Sequence, residues 1–121
     1  MKDSNVLIAE FMGYEILYRP NSNGFIEISD TELCDVDDLQ YHTSWDWLMP
    51  VVEEIEEIAM EEVKGVYKVH RFCVNFNFTQ AEITDMSTGM IVGYGDTGMK
   101  LESTYEAVVE FINWYNKNKK A

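Results

Sequence analysis

Basic residues are what this sequence has least of. Nine Lys and Arg stand against 22 Asp and Glu in 121 residues, a net charge of −13. No base falls between Arg19 and Lys64, whereas residues 20–63 hold 13 of the acids. Outside that stretch nine acids meet nine bases and cancel, so the net charge lies in one segment. A field of that sign repels nucleic-acid phosphates and draws cations or basic protein surfaces. Direct nucleic-acid binding is therefore not expected, and a basic protein surface is the expected partner. A solvated loop and helix face that keeps the chain soluble is the plain reading of the same residues.

Other shortages exclude further classes. The two cysteines, Cys34 and Cys73, form no C-x-x-C pair, so neither a disulfide framework nor a zinc site is expected. Cys34 sits among carboxylates, which raise a thiol pKa and make a poor nucleophile. His42 and His70 are the only histidines and lack metal-ligand spacing. Carboxylates are so abundant that any pair of them looks catalytic, which leaves the pair argument empty. No cofactor and no catalytic set is expected, and binding is favoured over enzymatic activity. No apolar run approaches the ~20 residues of a membrane helix, and the N-terminus lacks a basic region followed by an apolar stretch. A cytoplasmic chain without membrane contact follows as the expectation.

What is present is a folding composition: 46% apolar and 13% aromatic residues, enough for one domain over 1–121. Residues 4–12 predict a helix with Leu7, Ile8 and Phe11 on one face, closed by Gly13. Tyr14–Tyr18 and Phe25–Ser29 predict a β-hairpin around the turn residues 20–24. Residues 30–43, acidic and without period, predict an exposed loop. From Ser44, a capping residue, Trp45, Leu48, Val52, Ile55, Ala59 and Val63 recur every three or four residues and predict a helix ending at Lys64-Gly65. Pro50 lies inside it and predicts an irregular turn or a bend. Glu53, Glu57 and Glu61 lie off the apolar stripe, where like charges four apart cost ~0.2–0.5 kcal/mol per pair.

Val66–Phe78 alternates, with Phe72, Val74, Phe76 and Phe78 on one face, and predicts a single half-buried strand. One or two strands are expected in 81–94, broken near Ser87-Thr88-Gly89. Ser103 and Glu106 form a capping-box pattern for a last helix whose apolar face carries Tyr105, Val108, Val109, Ile112 and Tyr115. The fold class expected is α+β, three helices on one antiparallel sheet of about four strands, in the order α-β-β-α-β-β-α. The core expected comprises Leu7, Ile8, Phe11, Ile16, Ile26, Trp45, Leu48, Val52, Ile55, Phe72, Val74, Phe76, Val108 and Ile112.

Three motifs bear on function. Gly93-Tyr94-Gly95-Asp96-Thr97-Gly98 fits G-x-G-x-x-G literally, and a small nucleotide-binding protein or enzyme using this loop is the alternative to a binding domain. The motif works only when its last glycine opens a helix within a βαβ unit, which residues 1–92 do not supply. Asp35-Val36-Asp37-Asp38 hints at calcium, but Gln40 stands where that loop needs glycine. Tyr41-His42-Thr43-Ser44-Trp45-Asp46-Trp47 is the densest run of large side chains. Trp45 aligns with the core stripe, whereas Trp47 points aside, to pack on the hairpin or to offer a hot spot for a basic partner. The candidate binding residues are thus Asp35, Asp37, Asp38, Tyr41, Trp47, Glu53, Glu57 and Glu61.

The segments Leu7–Gly13, Tyr41–Glu56 and Ala107–Asn116, the second containing Ser-Trp-Asp-Trp-Leu-Met-Pro-Val-Val-Glu-Glu-Ile-Glu, resemble a group of small uncharacterised proteins of phage or prophage type. The likeness covers about a third of the chain. It implies a phage or mobile-element context, in which small acidic proteins act as inhibitors or adaptors, and it assigns no site residue. A mimic of DNA, with carboxylates in place of phosphates, is the sharpest form of that expectation.

Overall fold

The computed structural model describes residues 2–20, 23–58, 61–63, 67–69 and 71–118. Along them run α1 (Lys2–Phe11), β1 (Phe25–Ser29), β2 (Glu32–Asp35), a 3-10 turn (Val36–Asp38) and α2 (Trp45–Glu57). Then follow β3 (Glu61–Val63), β4 (Tyr67–Val69), β5 (Phe72–Phe76), β6 (Gln80–Asp85), β7 (Met90–Asp96) and α3 (Lys100–Asn118). Every ladder is antiparallel: β1 with β2, β3 with β4, and a meander of β5, β6 and β7. The class is α+β, as expected. The single four-stranded sheet is not: the strands divide into two pairs and a three-stranded sheet.

The meander and α3 form the main layer pair. β6 alternates Ala81, Ile83 and Asp85 inward with Gln80, Glu82 and Thr84 outward, the pattern of a sheet covered on one face. α3 lies across β6 and β7 because Gly93 and Gly95 let it approach. A β-carbon on either would strike the backbone of α3, at Ala107 or at Ser103. Phe111, fully buried, is the aromatic hub, 4.8 Å from Phe72 edge to face and stacked on Tyr115 at 5.7 Å. α1 closes the other side of α3, and its Phe11 ring meets Phe111 at 6.3 Å.

Two buried polar clusters fix how the parts join. Asn5 on α1 donates through Nδ2 to the Leu39 carbonyl (3.2 Å) and to His42 Nδ1 (2.9 Å), and accepts from the Tyr105 hydroxyl on α3 (3.0 Å). Because the Leu39 carbonyl can only accept, the orientation of the amide is determined. Asp85 takes both Arg71 Nε (3.1 Å) and Nη2 (2.9 Å), together with the Ser87 amide and hydroxyl. That pairing pins the start of β5 to the turn between β6 and β7.

Several expectations are corrected. The β-hairpin turns at Asp30-Thr31, not at 20–24, and its second arm is Glu32–Asp35. Tyr14–Tyr18 contributes only one bridge, Leu17 with Phe25, whose reciprocal bonds measure 2.8 Å each. Residues 30–43 are not a loop laid over the surface, since Val36, Leu39 and Tyr41 are buried. The spacing of three from Val36 to Leu39 suits a 3-10 turn, in which residues three apart eclipse.

α2 stops at Glu57, so Glu61 lies in β3 and not on the helix. The expected stop at Lys64-Gly65 falls outside the described residues, as do Ala59 and His70. Val66–Phe78 is divided into β4 and β5, and its apolar face opens outward: Phe72 is buried, Phe76 is 39% exposed and Phe78 88%. Phe76 therefore leaves the core. Leu7, Phe11, Ile16, Trp45 and Val74 pack against it only half-buried. Ser103 does not cap α3, which begins at Lys100 after Gly98 at φ +87°. Ser103 is instead buried, accepting from the Thr97 amide (2.9 Å) and donating to the Thr79 carbonyl.

Candidate functional site: an acidic helix face between two grooves

The apolar positions of α2, Leu48, Val51, Val52 and Ile55, are buried, which commits the opposite side to solvent. Asp46, Pro50, Glu53 and Glu57 follow at spacings of four, three and four and make one exposed stripe, with Glu54 beside it. Pro50 has no amide to offer Asp46, and as an exposed residue of that stripe it removes no core contact. None of these four carboxylates meets a base among the described residues. Arg71 is engaged elsewhere, paired with Asp85 at 2.9 Å.

The second acidic group stands at the end of β2. Asp35, Asp37 and Asp38 are exposed while Val36 between them is buried, so the 3-10 turn directs its carboxylates outward. Asp37 accepts from Asn23 Nδ2 at 3.0 Å. Burial, then Asp38, Asp35 and Glu32, push the neighbouring Cys34 thiol up, and its hydrogen is shared with the Asp35 carbonyl at 3.4 Å. Cys34 is thus a protonated packing residue, and both described cysteines are unpaired. Among the described residues, no three His, Cys, Asp or Glu side chains gather to hold a metal ion.

Tyr41 belongs to the core and also lines the groove beside Trp47. It is buried, with burial first and then Tyr14 and Cys34 pushing its phenol up to about 12. Its task is to support Trp47, whose half-buried ring meets it edge to face at 5.3 Å. Trp47 borders a groove of about 270 Å3 together with Met12, Tyr14 and Ile28, with Asp46 and Pro50 at the rim. A second groove of about 560 Å3 lies at the far end of α2. Its floor is Leu7 and Phe11 of α1, Ile58 just past α2, and Tyr115 of α3, and its rim carries Glu10, Glu54 and Asn116. The sequence reading missed this groove because its residues come from three distant segments.

The arrangement gathers the candidate residues unevenly. Glu53, Glu57 and Trp47 share α2; Asp35 ends β2 and Asp37 and Asp38 lie in the 3-10 turn that follows; Glu61 belongs to β3. The glycine motif forms no phosphate cradle. Gly93 and Gly95 lie inside β7 beneath α3, and their close approach is used up by the helix.

Among the described residues, no helix is long and apolar enough to cross a membrane. Comparison with known proteins finds no matching family model, no similar curated protein and no similar solved structure.

Proposed function

We propose that this chain is a non-enzymatic binding domain, cytoplasmic and of phage or mobile-element type, that docks a basic protein surface through its acidic face. The observation that carries the reading is the exposed stripe Asp46, Glu53, Glu54 and Glu57, unmatched by any base among the described residues. A helix with like charges four apart gives up stability, and a binding role for those charges accounts for keeping them. Asp35, Asp37 and Asp38 add a second group of the same sign. The two unpaired thiols accord with a reducing compartment. A host protein that handles nucleic acid is the partner such charges suit, and mimicry of DNA phosphates is the mechanism in its sharpest form.

The test takes a partner captured from a host lysate and then purified, and measures its binding at about 50 mM and about 300 mM salt. Glu53→Lys with Glu57→Lys should weaken binding about tenfold or more and leave the circular dichroism unchanged. Duplex DNA should compete for the same partner. A partner that ignores salt, the double reversal and DNA would reduce the acidic face to a solubility device.

A further inference from the structure

The two grooves flank the same side of α2. Trp47, Glu54 and Ile58 recur at spacings of seven and four, so they share one flank, next to the stripe of Asp46, Pro50, Glu53 and Glu57. From Trp47 to Ile58 the helical rise is about 16 Å. The acidic stripe therefore runs beside two grooves, one mainly apolar at Trp47 and one of mixed polar and apolar lining at Ile58.

We propose that the groove floored by Leu7, Phe11, Ile58 and Tyr115 receives an apolar side chain from a lysine- or arginine-rich segment of the partner protein. This rests on the reading of the acidic face given above and adds an anchor point to it. Charge selects the occupant. Glu10 and Glu54 approach the groove from two different helices, and neither meets a base among the described residues, so the rim favours a segment carrying positive charge on both sides of its anchor. The same two carboxylates repel the acidic α2 face of a second copy. The floor is built to hold an anchor without rearranging. Phe11 meets Tyr115 edge to face at 6.1 Å, and both rings rest on the buried Phe111. A rigid aromatic floor inside a charged rim is the anatomy of a binding hot spot.

The experiment uses the whole chain and two synthetic probes: an amphipathic peptide of leucine and lysine, and a polylysine of equal charge. Binding is measured by fluorescence anisotropy and mapped by the methyl signals of Leu7 and Ile58. The leucine–lysine peptide should bind about tenfold or more tightly than polylysine and should shift both methyls. Glu10→Lys with Glu54→Lys should abolish that advantage, whereas Glu82→Lys with Glu102→Lys, on the sheet and the start of α3, should leave it in place.

Equal binding of the two peptides, or binding without methyl shifts, overturns the groove while leaving the acidic face as the contact surface. Absence of binding by either peptide at low salt overturns both readings. Methyl shifts that depend on protein concentration alone assign the groove to a second copy and also overturn the proposal.

Discussion

Asp85 is a carboxylate whose surroundings decide its chemistry. Burial alone would raise its pKa, but the Arg71 guanidinium and the Ser87 amide and hydroxyl outweigh burial and hold it down to about 2. A group depressed in the folded state stabilises the fold above its unfolded value, near 3.8, and loses that contribution as pH falls through about 2. The depression corresponds to about 2 kcal/mol. Urea titrations from pH 5 to pH 2 should show that decline in the native chain and a flatter course in Asp85→Asn, which starts about 2 kcal/mol lower. No sequence pattern marks Asp85, since its neighbours Thr84 and Met86 look like those of any strand end. Only the pairing of Phe72 with Asp85 brings Arg71 within reach.

Among the elements, α2 and α3 were the most legible and still ended where periodicity did not say. The stripe of α2 continues in sequence to Ala59 and Val63, because an apolar residue at that spacing serves a strand as well as a helix, and the chain changes to β3 at Glu61. The Ser103–Glu106 pattern also occurs inside a helix, where the serine hydroxyl serves a loop instead. The β1 hairpin turns at Asp30-Thr31, which lacks the glycine that announces a tight turn, whereas Pro20 and Gly24 announce a reversal that pairs at one bridge. The candidate site was half legible: the charges were visible along α2, the grooves were not.

Two element-level outcomes follow. Glu57→Lys places a cation four residues after Glu53 and in the last turn of α2, where pairing and helix dipole both favour it. Chemical denaturation should show a gain of about 0.5–1 kcal/mol, with weaker partner binding in the same variant. Gly95→Ala should do the opposite. Its β-carbon would collide with the Ser103 backbone, and the separation of α3 from β7 should cost about 3 kcal/mol. A calorimetric melt checks this, and a loss confined to nucleotide binding, with the melt unchanged, would restore the phosphate-loop reading.

At the scale of the whole molecule, −13 charges on 121 residues oppose compaction, and Asp46, Glu53, Glu54 and Glu57 of α2 contribute to this without meeting a base among the described residues. Screening should relieve this. Raising sodium chloride from about 10 mM to about 200 mM should lift the melting temperature by a few degrees while weakening association with a basic partner. Scanning fluorimetry beside a binding titration reads both. A melting temperature that falls with salt would mean that the acids are paired in solution. On the proposed function, fold and recognition should respond to salt in opposite directions, because the charges that serve one would burden the other.

The glycine pair of β7 has a further consequence, for descent. The exposed carboxylates of α2 lie outside the core, so on the proposed function each can be exchanged for under about 1 kcal/mol as a partner changes. Gly93 and Gly95 cannot acquire even one carbon without lifting α3 from the sheet. In diverging descendants the partner surface should drift while the two glycines stay. A lineage traced by them would carry a nucleotide-like motif whose persistence records nothing but the thickness of a helix on a sheet.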